Sequence, residues 1–499
     1  MKRYIKTEPI LTKSVGERPL HKRLLVVCEG KNTEHDYFDK FDIPGITIIP
    51  IGTGLSSTKL VKEVNVVRKT QEKRLKINKF DEIWVVFDKD DNKDFAFSNQ
   101  NNFYYIPGTQ LNAQFDLKDY IEFPARATGN DNFSAYPGIN DWYETVKLNY
   151  GVDYAGGRVN HFDPIPDTWN KMLHILLFWA GKKVDAFRCD MAEMVPVDFW
   201  HWAIPQVKEQ YPHVIFIAEV YNPAEYRNYL HYGHFDYLYD KVGLYDTLKA
   251  VTNDWISAQN ITFSWQQVEG IRNNMLNFLE NHDEQRLASK FFAGNPLKGK
   301  APLLVSALMY TNPMMVYFGQ EFGEPGMDAE GFSGEDGRTT IFDYWSVDTI
   351  RRWRNNGKFD NKQLTADELS LQAYYAKVLN ICNSSEAVRE GEFYDLMYVN
   401  PQLQRQYAFV RHTENETLLI VANFAAHDAE VSIHVPQHLF EYYQIEESAS
   451  SEWMDLLTGD SVKASFTSAE ATKLNVPAWG GCVLRMKEQK KTKCKKSKA

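Results

Sequence analysis

Val184–Met194 reads V-D-A-F-R-C-D-M-A-E-M, and its reading decides the fold. Phe187 and Cys189 fall on one side of an extended segment, Arg188 and Asp190 on the other. This period of two describes a buried strand whose last residues aim a cation and a carboxylate towards one place. Alone, the stretch favours a strand edge with a solvated Arg–Asp pair, the commoner case for exposed ions. The residues downstream decide between them.

Working outward, the chain alternates helix and strand. Pro166–Lys182 has helical periodicity, with Asp167 near its start and Gly181 at its end. Asp198–Tyr211 predicts a helix and Val214–Val220 (V-I-F-I-A-E-V) a strand. Asp236–Asp240 predicts a short strand. Met275–Leu279 leads into E-N-H-D, and Met314–Phe318 into G-Q-E. Strand–helix repetition with polar residues closing each strand is the wiring of a (β/α) barrel, whose chemistry sits at the strands' carboxyl ends. Those ends carry Arg188 and Asp190, then Glu219, then His282 and Asp283. Any one of these acids suits a structural role. Three, each closing a buried strand in this order, point to glycoside hydrolysis by paired carboxylates. A third carboxylate and an arginine then stabilise and orient an oxocarbenium-like transition state.

These motifs resemble the α-amylase family, glycoside hydrolase family 13. V-D-A-F-R-C-D is similar to its second signature region, F-I-A-E-V-Y to the third and F-L-E-N-H-D to the fourth. The likeness runs on through Y-F-G-Q-E-F-G-E-P-G. It continues into a β-rich segment where L-L-I-V-A-N-F and G-G-C-V-L-R-M look like that family's C-terminal sandwich. The resemblance implies Asp190 as nucleophile, Glu219 as general acid/base and Asp283 as transition-state stabiliser. It implies Arg188 and His282 as residues that orient the site and bind sugar. The implied substrate is an α-linked oligo- or polysaccharide. Ala186 stands where that family usually has glycine, and Met194 where many relatives carry a basic residue. The first signature, an Asp followed by Asn-His, is absent. Asn160-His161 is the nearby pair, but Gly156 occupies the place of the Asp. The resemblance therefore implies that the first three barrel strands are missing. With them would go a sugar-holding His and an Asn that commonly helps bind Ca²⁺, leaving Ca²⁺ possible by family but without its usual ligand region.

The amino-terminal hundred residues alternate differently. Leu24–Cys28, Ile46–Ile51 and Glu82–Phe87 read as strands; Asn32–Phe41 and Ser56–Ile77 read as helices. This predicts a parallel α/β sheet with carboxylates at its strand ends: Glu29, Asp88 and Asp90. Asp-x-Asp after a buried strand suits Mg²⁺, a hard cation that takes carboxylates and water. L-L-V-V-C-E-G-K-N-T-E-H-D-Y-F and I-W-V-V-F-D-K-D-D resemble the RloB-like family and, through it, the TOPRIM fold. That likeness implies Glu29 as catalytic carboxylate and Asp88 and Asp90 as metal ligands for nucleic-acid cleavage. It stops near residue 100. From 101 to 160 Gly, Pro, Asn and Asp break the periodicity, marking a packed irregular excursion.

Composition sets outer bounds. The chain has 499 residues, 43% hydrophobic and 24% charged, with net charge -10, enough for two or three domains. The first hundred residues come to about +4 and the Lys-rich end to about +6, which leaves a middle near -20. An acidic middle disfavours a nucleic-acid grip there. Five dispersed cysteines suggest a reducing compartment, and no apolar run suits a signal peptide or a membrane span, so a cytoplasmic location is expected. The expected organisation is a truncated TOPRIM-like module (1–100), a partial TIM (β/α)8 barrel (101–384), an all-β domain (385–487) and a basic tail (488–499). Three functions compete: an α-glucan hydrolase with impaired activity, an Mg²⁺-dependent nucleic-acid enzyme, and a non-catalytic fusion of two truncated modules.

Overall fold

The computed structural model describes residues 22–28, 33–40, 46–53, 57–86, 101–106, 108–154, 156–326, 336–339 and 347–487. By spatial contact the chain forms two compact units, Met1–Thr168 and Trp169–Ala499.

The first unit begins with a three-stranded parallel sheet. Strands β1 (Lys22–Cys28), β2 (Ile46–Gly52) and β3 (Glu82–Val86) lie in the order β2-β1-β3. Alternation along β1 divides its side chains between two faces. Leu25 and Val27 pack with Leu60 of helix α2 (Ser57–Leu75), while Leu24 and Val26 pack with Phe38 of α1 (Thr33–Phe38). The sheet's carboxyl ends are level, with Cys28 opposite both Gly52 and Val86. Glu29, Asp88 and Asp90, the expected Mg²⁺ carboxylates, lie outside the described residues.

After residue 101 this unit is irregular, as the broken periodicity predicts. Two short ribbons stand out: β4 (Tyr105–Ile106) against β5 (Ala125–Arg126), and β6 (Val152–Asp153) against β7 (Val159–Asn160). The excursion is packed rather than loose. Tyr104, Phe133 and Tyr154 make an aromatic cluster, and Asp141 accepts from Asn130 (3.0 Å), Asn132 (2.8 Å) and the Gly138 amide (2.7 Å). Asn160-His161 closes the second ribbon, with Asn160 exposed.

The second unit holds a curled parallel sheet, half of a barrel. Its strands are β8 (Ala186–Cys189), β9 (Ile215–Ala218), β10 (Tyr237–Tyr239), β11 (Met275–Phe278) and β12 (Met314–Met315), in the order β12-β11-β10-β9-β8. Every neighbouring pair is parallel, so all five carboxyl ends face the same side. Helices α3 (Asp167–Ala180), α4 (Val197–Gln210), α5 (Asp246–Thr252), α6 (Asn260–Gln267) and α7 (Lys300–Leu308) connect and cover them. Sequence periodicity predicts these same five strands, each within a few residues of its observed bounds. Strand β8 is a sheet edge among the described residues, and α3 beside it in sequence leaves Phe178 57% and Trp179 51% exposed.

Residues 385–487 form the β-rich end. Its strands are β13 (Glu392–Asp395), β14 (Gln406–His412), β15 (Thr417–Asn423), β16 (Ala429–Ile433), β17 (Ser448–Asp455), β18 (Ser461–Phe466), β19 (Thr472–Val476) and β20 (Gly481–Met486). A six-stranded antiparallel sheet, in the order β13-β14-β15-β20-β17-β18, is accompanied by the ribbon β16-β19. One hydrophobic core joins this sheet to the half-barrel. Helix α7, apolar all round, is buried on every side from Ala301 to Leu308, as such a helix must be. Asp395 of β13 ties the seam. Its Oδ2 accepts from Thr262 (2.6 Å) and Trp265 (2.7 Å) of α6, and from Tyr407 (3.2 Å).

Candidate active site

Strands β8 and β9 are in register through Cys189 opposite Ala218, so the next residues, Asp190 and Glu219, stand side by side. Period two along β8 places Arg188 on the same side as Asp190. One guanidinium then bridges both acids: Nη1 pairs with Asp190 Oδ1, and Nη2 lies 2.9 Å from Glu219 Oε2. Arg188 itself is stacked over the Tyr239 ring at 5.5 Å, Tyr239 being the last residue of β10. A planar fork stacked on an aromatic ring cannot swing, which fixes the spacing of the carboxylates it joins.

The two acids differ sharply in environment. Glu219 is 2% exposed, whereas the Asp190 side chain is 69% exposed. Strand β9 is flanked by a strand on each side, and β8, among the described residues, on one side only. Burial pushes the Glu219 carboxyl above its usual range, and the neighbouring Asp190 charge adds to that rise. The Met191 amide (2.9 Å), the Tyr221 hydroxyl (2.7 Å to Oε1) and Arg188 oppose it without cancelling it. A buried acid whose carboxyl is shifted upward beside an exposed carboxylate is the division of labour that proton transfer plus nucleophilic attack requires. Tyr221 suits this pairing, since its hydroxyl can donate to the carboxylate or accept from the protonated acid.

The third element is the turn after β11. Asn281 Oδ1 accepts from the amides of Asp283 and Glu284, both at 2.9 Å, and so shapes E-N-H-D into a tight loop. His282 Nε2 lies 3.1 Å from Asp283 Oδ2. Beneath them Glu280 and Arg286, both fully buried, pair at 2.7 Å, and Glu280 Oε1 accepts from the Leu287 amide at 2.7 Å. Next to the turn, Glu284 is enclosed by Lys241 (3.1 Å), Tyr245 (3.0 Å) and Lys249 (3.5 Å). All five residues proposed from sequence for this site thus stand at the carboxyl ends of β8, β9 and β11. Sequence reasoning missed Tyr221, Tyr239 and Asn281. The first two had a usable signal, an aromatic at or just past the end of a barrel strand.

Among the described residues no three His, Cys, Asp or Glu side chains converge as a metal cage. Among the same residues no helix is long and apolar enough to cross a membrane.

Comparison with known proteins places parts of the chain among known sequences and folds. Residues 164–368 match the model for the alpha amylase catalytic domain, and residues 24–107 that for RloB-like proteins. Over 97 residues, 18% of the chain and 16% of the relative, it is 32% identical to an alpha-1,4-glucan:maltose-1-phosphate maltosyltransferase of Cereibacter sphaeroides. Over 302 residues it is 21% identical to neopullulanase 2 of Thermoactinomyces vulgaris, covering 60% of this chain and 45% of that one. The chain therefore spans less than half the length of either relative. In fold it is similar to the alpha-amylase of Geobacillus thermoleovorans complexed with acarbose, at 15% identity and TM-score 0.53, covering 95% of this chain and 100% of that one.

Proposed function

We propose that this chain, whose residues 164–368 carry an alpha amylase catalytic domain sequence, acts on α-linked glucans as a retaining glycoside hydrolase. The supporting observation is the Arg188 bridge, which holds an exposed Asp190 beside a buried Glu219 whose carboxyl is shifted upward by burial. In the first step an Asp190 oxygen attacks the anomeric carbon while Glu219 gives its proton to the departing glycosidic oxygen. The bond to the leaving sugar breaks and an ester to Asp190 forms. In the second step Glu219, now ionised, takes a proton from water, and the water oxygen displaces Asp190. Asp283, with His282 at 3.1 Å, supplies negative charge to the oxocarbenium-like transition state and holds sugar hydroxyls. Turnover is weak in this reading, because the largely exposed Asp190 carboxylate stays hydrated, without the dry surroundings that strengthen charge stabilisation.

Release of chromophore from an aryl α-maltooligosaccharide, absent in Asp190→Asn and Glu219→Gln, is the expected result. Equal release by wild type and Asp190→Asn would defeat the reading. The maltosyltransferase likeness adds a transfer arm, in which a second sugar replaces water as acceptor and lengthened products appear.

A second reading concerns the first unit alone. Residues 24–107 match the RloB-like model, and β1 and β3 end level at Cys28 and Val86, just before Glu29, Asp88 and Asp90 in sequence. This supports an Mg²⁺-dependent nucleic-acid enzyme with those three carboxylates around the ion. Mg²⁺-dependent cleavage lost in Asp88→Ala and kept in Asp190→Asn is its expected signature.

A further inference from the structure

The half-barrel's other end carries a feature that sugar chemistry does not use. A polar cavity of about 330 Å³ opens where the amino ends of β11 and β12 meet the β-rich region. Its lining includes three guanidiniums: Arg272 before β11, Arg389 before β13, and Arg411 of β14 (Gln406–His412). Arg411 is 1% exposed, and among the described residues no carboxylate pairs with it. Its N–H groups donate only to backbone carbonyls: Ala387 (3.0 Å), Val388 and Gly391 (both 2.8 Å), and Met309. Carbonyl dipoles satisfy the donors but leave the charge unneutralised, which is costly for a buried cation.

The other two cations face the same space. Arg272 lies over the Tyr310 ring at 5.4 Å and the Phe393 ring at 6.0 Å, with only the exposed Glu269 at 3.4 Å. Arg389, half exposed, has Glu390 at 3.6 Å. Glu392, the other acid of the lining, accepts from Tyr442. Burial first, and then the Arg272 charge, holds Arg411 down at about 10, so the cavity works against its own innermost cation.

We propose that this cavity is an oxyanion site that takes a phosphate group, with Arg272 and Arg389 contacting the oxygens and Arg411 supplying charge from beneath. The Thr311 hydroxyl and Asn273 amide at the lining add neutral donors. Two sources share this chemistry, free phosphate and a phosphate monoester. The site lies at the strand ends opposite Asp190 and Glu219, so it is separable from hydrolysis.

The test is titration calorimetry on the full chain with inorganic phosphate and, separately, glycerol phosphate, at ionic strength fixed with chloride. Saturable binding is expected, at least tenfold weaker in both Arg389→Gln and Arg272→Gln. Arg389→Gln is the decisive variant, because its side chain is half exposed and its ion-pair partner Glu390 is exposed too. Phosphate binding with no monoester binding assigns the free ion, and binding of both assigns the phosphate group in general. The proposal is overturned by absence of saturable binding to either probe, or by unchanged affinity in folded Arg389→Gln.

Discussion

Arg286→Met tests whether the turn that carries His282 and Asp283 is held up by a buried ion pair. Arg286 and Glu280 are both essentially inaccessible. Arg286 donates to Glu280 at 2.7 Å and to Thr339 at 2.9 Å, and lies over the Tyr317 ring at 4.2 Å. Methionine keeps much of the volume but strands Glu280 with the Leu287 amide as its remaining partner. Removing one member of a buried pair costs about 3–5 kcal/mol, whereas replacing both with apolar groups is often near neutral. At roughly 2 °C per kcal/mol for a large unit, Tm should fall by about 6–10 °C. The double variant Glu280→Leu/Arg286→Met should recover most of that loss.

The pH dependence gives a sharper check. Burial already pushes Glu280 above the normal carboxylate range, and Arg286 is the main influence holding it down. Without Arg286 its folded-state pKa rises further. A group whose folded pKa exceeds its unfolded value favours unfolding as pH climbs through that window. The destabilisation by Arg286→Met should therefore be smaller at pH 5 than at pH 8. Tm measured by calorimetry on wild type, single and double variants decides it. A single variant within about 1 kcal/mol of wild type at pH 8, or a cost larger at pH 5, refutes the reasoning.

Asp395→Ala leaves donors from Thr262, Trp265 and Tyr407 unanswered at the seam, and should cost about 3 kcal/mol by denaturant midpoint. Asp240 is fully buried, and its carboxyl is raised from 3.8 to about 6 by burial. The unfolded chain ionises first, so stability falls as pH rises from about 4 to about 6, by about 3 kcal/mol. Asp240→Asn should lack that slope when melts are compared across the window. Glu219→Gln removes a buried acid that is unfavourable when ionised. Its Tm at pH 7 should equal or exceed that of wild type while turnover disappears.

Much of the site was legible because strand ends are local features. Val184–Met194, F-I-A-E-V and E-N-H-D each announce a buried run closing on a polar residue, and parallel pairing brings those ends together. What sequence could not show is how differently the strands are surrounded. Asp190 and Glu219 occupy equivalent positions, yet one is open and the other sealed: among the described residues β8 has a strand on one side and β9 on both. Contacts between distant residues were equally hidden. No local pattern tells that Arg411 donates to the Met309 carbonyl, or that Arg188 rests on Tyr239. Residues 101–160 are visibly aperiodic in sequence, but their ribbon pairings depend on turns with no repeating signal.

The central claim is that Asp190, held by Arg188 beside Glu219, attacks the anomeric carbon. It is tested most directly by offering α-maltosyl fluoride to Glu219→Gln and weighing the intact protein. Fluoride leaves without needing an acid, and the ester to Asp190 then lacks its base and should accumulate. A mass gain of one maltosyl residue, mapped to the peptide holding Asp190 and absent from Asp190→Asn/Glu219→Gln, is the predicted result. An adduct that persists without Asp190, or no adduct with a properly folded protein, would contradict it.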